Sequence, residues 1–118
     1  MSSRPEELRE RTKKFAIRIV TMFRSLPKTE EARVLGRQVL RSGTSVAANY
    51  RAVCRSRSRR DFISKLAVVT EETDETIFWL ELLVETGIVP KPKMENLLAE
   101  AEELVKIFGT SVRTARSK

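Results

Sequence analysis

The sequence predicts an all-α fold, an antiparallel up-down-up-down four-helix bundle. Apolar residues recur at alternating spacings of four and three with very little period-two alternation, the signature of amphipathic helices. Four such stretches are separated by short connections, the arrangement that buries apolar stripes against one another. At 118 residues the chain suffices for one domain with a real core and is too short for a two-domain enzyme, so residues 1–118 are read as a single domain. The helices are expected at about 5–25, 29–54, 59–87 and 93–113.

In the first helix Ser3 is the expected N-cap, Pro5 fits an early helical position, and Glu6 and Glu7 suit the positive dipole end. Its seam is Leu8, Thr12, Phe15, Ile19, Met22 and Leu26, at heptad spacing, and Pro27 ends it. Thr29 is the expected N-cap of the second helix, followed by Glu30 and Glu31 in the first turn. That helix's apolar face is Leu35, Val39 or Leu40, Val46, Tyr50 and Val53. A run of small residues around Gly43 crosses it and permits close backbone contact or a kink.

The segment 55–60 has no apolar side chain and reads as the connection, with Ser58 the expected N-cap of the third helix. The third seam is Phe62, Leu66, Val69, Thr73, Thr76 or Ile77, Leu80 and Leu83, and Gly87 is a natural stop, with Pro90 and Pro92 beyond it. The fourth helix carries Leu97, Ala101, Leu104, Phe108 and Ser111, with Leu98, Val105 and Val112 beside them, before a basic tail from Arg113 to Lys118 that is expected to fray. Residues 77–84 are apolar on more than one side, and Ala16, Val20 and Phe23 widen the first stripe. This surplus points to a second buried surface between subunits; scattered exposed apolar residues on a monomer are the alternative.

Composition narrows the function. There is no histidine and one cysteine, Cys54, which excludes a Ser-His-Asp triad, a Cys-His pair, a His-ligated metal and a zinc ribbon. No cofactor or metal is implied, and the chain reads as non-enzymatic. The polar first residues lack the apolar run of a secretory signal and no stretch is long enough to span a bilayer, so the expected location is cytoplasmic.

The net charge is +7, from 23 Lys and Arg against 16 Asp and Glu, which makes a polyanion the first partner to consider. The charge is concentrated: residues 1–60 carry 16 Lys and Arg against 5 Asp and Glu, whereas residues 61–118 carry 7 against 11. Arg33, Arg37 and Arg41 follow at spacings of four, and Arg51, Arg55, Arg57, Arg59 and Arg60 cluster around the next connection. Arginine offers planar bidentate donors to phosphate and stacks on bases, so these eight are the candidate nucleic-acid-binding residues. Pairing of the same arginines with Glu71, Glu72, Asp74, Glu75, Glu81 and Glu85 is the competing reading. Few aromatic residues are free to stack on bases, which favours phosphate and shape recognition over sequence reading. Asn49 reads as a structural amide, Cys54 as a packing residue, and the acids 71–75 as a solvated face, since di-metal bundle sites use Glu-x-x-His.

The second helix carries the most specific resemblance. Leu35-Gly36-Arg37-Gln38-Val39-Leu40-Arg41-Ser42-Gly43-Thr44-Ser45-Val46-Ala47-Ala48-Asn49 is similar to the pattern of the 23S rRNA intervening-sequence protein (S23) family. The Leu26-Pro27 stop, the Arg60-Asp61-Phe62 entry and the spacing from Glu75 to Leu80 agree, and the resemblance runs from Phe15 through Phe108. Where many members have an aliphatic residue and Ala-Glu-Gly after the Asn, this chain has Tyr50-Arg51-Ala52-Val53, which lengthens the basic row. The family is similar to the accessory variability protein of diversity-generating retroelements, a pentameric barrel that binds nucleic acid together with a reverse transcriptase. The resemblance therefore implies a homopentamer and RNA or DNA binding. A scaffold or adaptor for an acidic partner such as a reverse transcriptase stays open beside it.

Overall fold

The computed structural model describes residues 4–118. They form four helices, α1 (Arg4–Arg24), α2 (Glu30–Val53), α3 (Arg59–Glu85) and α4 (Lys91–Arg116). Each packs on the next in chain order, and α1 meets α4 more sparsely to close the bundle. Neighbours run antiparallel. Gly43 faces Ile19 while Cys54 Sγ lies 4.0 Å from the Pro5 carbonyl, and Arg11 reaches Glu100 while Arg18 reaches Asn96. The result is a rod of 47 × 21 × 20 Å.

The helix ends follow local chemistry. Thr29 Oγ1 accepts from the Ala32 amide at 3.3 Å and Ser58 Oγ from the Asp61 amide at 3.0 Å, satisfying orphan donors of the first turns of α2 and α3. The N-cap expected at Ser3 lies outside the described residues. Gly87 closes α3 in the left-handed region, φ 79°, where a side chain would be strained. Two boundaries of α4 differ from the sequence expectation. It starts at Lys91 rather than 93, because Pro92 sits in the first turn, where its missing N–H has no intrahelical partner to lose. It continues to Arg116 rather than ending at 113: nothing after Gly109 breaks the helix, and Arg113 and Arg116 suit the negative dipole end.

The core is the predicted seams brought together: Phe15 and Ile19 from α1, Val39, Val46 and Tyr50 from α2, Leu66, Val69, Leu80 and Leu83 from α3, and Leu97, Leu104 and Phe108 from α4, to which the earlier start of α4 adds Met94. Tyr50 and Phe108 stack across the bundle with ring centroids 5.8 Å apart. Four hydroxyls are buried with them, Thr12, Ser42, Thr73 and Thr76, each turned back to a carbonyl of its own helix. Thr76 Oγ1 also lies 2.9 Å from Ser42 Oγ, a polar contact between α2 and α3 inside an apolar core. The run of small residues in α2 serves close approach: a Cβ on Gly43 would come within 2.8 Å of Ile19 Cγ1.

Of the surplus apolar residues, Ala16, Val20, Phe23, Ile77, Trp79, Leu82 and Val84 are half-buried. Ile17 on α1 and Phe78 on α3 are 57% and 53% exposed, with Val34 and Val68 also open to solvent.

Candidate nucleic-acid interface

Helical geometry decides where the eight candidate arginines fall. A step of four residues turns a helix by about 400°, so a row at that spacing drifts by about 40° per step. Over Arg33, Arg37 and Arg41 the drift carries the row from the α1 edge of α2 to its α3 edge. Arg33 and Arg37 line a cleft at the α1–α2 corner. Arg41 instead faces α3, where its guanidinium engages Glu75 and lies 3.4 Å from Glu72. Arg41 is thus one arginine for which carboxylate pairing is realised.

The Arg41–Glu75 pair is part of a small network. Trp79 Nε1 donates to Glu75 Oε2 at 3.0 Å, and this bond, with that from Arg41, holds the Glu75 carboxyl below its ordinary range. The hydrogen bond to Glu75, with the charges of Glu75 and Glu72, raises the Arg41 guanidinium further above its already high value.

Arg51 stands toward the other end of α2, in a second α1–α2 cleft with Arg9, Glu10, Lys13, Ala47 and Ala48. Arg55 and Arg57 sit at the α2–α3 connection beside Asp61 and Lys65. There Asp61 accepts from the Arg57 amide at 3.1 Å and pairs with Lys65 at 3.0 Å, contacts that lower its pKa. Arg59 and Arg60 are exposed at the start of α3. The eight arginines therefore fall into four groups: Arg33 and Arg37 at the corner cleft, Arg41 against α3, Arg51 in the second α1–α2 cleft, and Arg55, Arg57, Arg59 and Arg60 around the α2–α3 connection.

The structure adds cations that the sequence analysis did not single out. Arg24 and Lys28 join Arg33 and Arg37, and Arg9 and Lys13 join Arg51. The signal was present in the spacing of α1: Arg9, Lys13 and Arg24 are separated by four and then eleven residues, one and three helical turns, which places them on one face. None of Arg9, Lys13, Arg24, Lys28, Arg33, Arg37 and Arg51 forms an ion pair among the described residues. Together they make a cationic face along α1 and α2. Between Arg37 and Arg51 it extends roughly 21 Å at 1.5 Å per residue. The acidic excess lies on α3, and α4 is near balance.

These features define a class: a small basic antiparallel four-helix bundle whose positive charge lies on its first two helices. Residues 6–110 match the family model described as 23S rRNA-intervening sequence protein, and the chain belongs to that family. It is similar in structure to a protein of unknown function from the S23 ribosomal protein family of Bacteroides thetaiotaomicron. The TM-score is 0.85 at 33% identity, over 92% of this chain and 97% of that one. No curated protein matches the chain. No helix among the described residues is long and apolar enough to cross a membrane.

Proposed function

We propose that the chain is a non-catalytic nucleic-acid-binding protein that holds structured RNA or DNA through its phosphates. The observation that carries this reading is the α1–α2 face itself, with seven cations, Arg9, Lys13, Arg24, Lys28, Arg33, Arg37 and Arg51, and no carboxylate paired to any of them. A duplex presents about one charge per 1.7 Å of axis, so a face some 20 Å long spans a row of phosphates and releases their counterions. Arg55, Arg57, Arg59 and Arg60 extend the positive region at the α2–α3 connection; Arg41, engaged by Glu72 and Glu75, contributes less. The family's name, which refers to segments within rRNA, accords with an RNA target.

Assembly into a homo-oligomer, a pentamer by the resemblance, belongs to the same reading. It is supported by the exposed Ile17, Val34, Val68 and Phe78, which a second copy would cover, and it would multiply the cationic face and its avidity. A cytoplasmic location accords with a lone cysteine that has no partner within the chain. The test is retention of labelled structured RNA and duplex DNA by the purified protein, beside the triple variant Arg33→Glu/Arg37→Glu/Arg51→Glu. Binding that weakens steeply with salt and is lost in the variant is expected. Equal retention by both proteins would take the binding away from the α1–α2 face, and no retention by the wild-type chain would move the assignment to the adaptor reading, in which the arginines meet an acidic protein partner.

A further inference from the structure

The two α1–α2 clefts differ in what lines them. The one holding Arg51 also carries Glu10, and the one at the α2–α3 connection carries Asp61. The corner cleft is lined by Phe23, Arg24, Leu26, Pro27, Lys28, Ala32, Arg33 and Arg37, with no carboxylate and no side-chain amide. Its volume of about 500 Å³ is like that of the other surface clefts, about 430–550 Å³, so its lining and not its size sets it apart. Leu26 and Ala32 are buried in its floor and Phe23 is half-buried, while all four cations are exposed on its rim. The first turn of α2 forms one wall; its exposed Glu30 and Glu31 lie outside the lining and offset the positive end of the helix dipole, so the field in the cleft is set by the four cations. An apolar floor under a cationic rim suits a ligand with an anionic group beside a flat apolar one.

We propose that this cleft receives one unpaired nucleotide of a structured strand. The phosphate lies among Arg24, Lys28, Arg33 and Arg37, and the base lies against Phe23 and Pro27 beneath an arginine plane. The proposal rests on the nucleic-acid reading and adds a preference to it. Strands with a bulge or flipped base bind better than perfect duplexes, because the base gains an apolar contact that a paired base cannot make. A and U are held alike, since no carboxylate or amide side chain lines the cleft, while guanine, whose O6 and N7 match an arginine fork, is the one base the cationic rim can favour.

The test is fluorescence anisotropy on the full chain with a labelled RNA duplex and the same duplex carrying a single-nucleotide bulge, first A and then U. Stacking of one base sets the expected preference for the bulged strand at about five-fold or more, equal for A and U within about two-fold. In Arg33→Glu/Arg37→Glu the preference is expected to vanish, whereas Arg51→Glu weakens both probes by the same factor and keeps it. Lys28→Glu, in the connection outside the helices, is expected to reduce the preference without a change in helical circular dichroism, which covers a folding defect in the double variant. Equal binding of bulged and perfect duplex by the wild-type chain overturns the nucleotide pocket and leaves phosphate binding standing. A preference that survives both pocket variants overturns it too, as does displacement of the bulged probe by AMP alone, which would make the ligand a free nucleotide. Failure to bind any probe overturns the nucleic-acid reading as well.

Discussion

Three glycines of this chain carry opposite expectations although all sit in helices. A Cβ at Gly43 would meet Ile19 Cγ1 and Cγ2 at 2.8 and 2.9 Å, close to the stem of a stiff β-branched side chain. At Gly36 it would meet Leu26 Cδ1 at 2.6 Å, the free end of a flexible one. At Gly109 the nearest heavy atom is an Arg113 nitrogen at 3.7 Å, an ordinary contact. Replacing Gly by Ala gains about 1 kcal/mol of helix propensity, while overpacking costs about 1–3 kcal/mol. Gly43→Ala is therefore expected to lower stability by up to about 2 kcal/mol, Gly36→Ala to lower it less, and Gly109→Ala to raise it by about 0.5–1 kcal/mol. Urea unfolding of the three variants checks the order; a stabilised Gly43→Ala would mean that α1 and α2 are not in close contact. The single tyrosine gives a second check. Burial pushes the Tyr50 hydroxyl up to about 12. The folded chain thus holds a proton that the unfolded chain releases near 10; the stability this provides is complete below about 10 and is lost as pH rises toward 12. Absorbance at 295 nm should titrate near 12 in the folded protein and near 10 in urea.

At the scale of the elements, the weakest seam is α1 against α4, bridged by Arg11. Its Nε and Nη2 donate to the two oxygens of Glu100 at 2.8 and 2.9 Å. Because the pair is only partly buried, Arg11→Ala is expected to cost about 0.5–1 kcal/mol, with faster amide exchange concentrated in α1 and α4 and little change in α2 and α3. Uniform loss of protection in all four helices would show that the seam is not a separate unit. On the other side, Glu75 couples α3 to α2. Its carboxyl is held low, so the stability it provides is present above the unfolded value of about 4.3 and is lost as pH falls through the lower folded value. Emission of Trp79, the single tryptophan, should change with a midpoint below 4.3, and Glu75→Gln should remove that transition.

Much of this element-level picture was legible before the structure. Thr29, Ser58, Gly87 and the seams of Phe15, Val39, Leu80 and Leu104 lie where periodicity and capping chemistry put them, because local signals and tertiary packing agree there. The candidate interface was only half legible. The charges of α2 are visible in the sequence, but a row at spacing four drifts around the helix, and that drift separates Arg41 from Arg33. The spacing of Arg9, Lys13 and Arg24 puts them on one face of α1, but that this face and Lys28 join Arg33, Arg37 and Arg51 depends on the register of α1 against α2. That register is set by Gly36 and Gly43 meeting Leu26 and Ile19, which is a property of the packed pair and not of either helix.

For the whole molecule, charge and shape act together. The rod presents its cationic side along α1 and α2 and its acidic excess along α3, while α4 is near balance, so a polyanion is attracted to the α1–α2 side and repelled from α3. Affinity on such a face depends on phosphates neutralised and is indifferent to base sequence. Each lost phosphate contact should reduce the slope of log affinity against log salt by about 0.9 on duplex DNA and about 0.7 on single strands. The central claim is tested most directly by that slope, measured for the wild-type chain and for Arg33→Glu/Arg37→Glu/Arg51→Glu on the same structured RNA. A steep negative slope in the wild type that flattens by two to three phosphate contacts in the variant, with helical content unchanged, is the expected result. A slope near zero, or one that the variant leaves unchanged, would contradict phosphate recognition by the α1–α2 face.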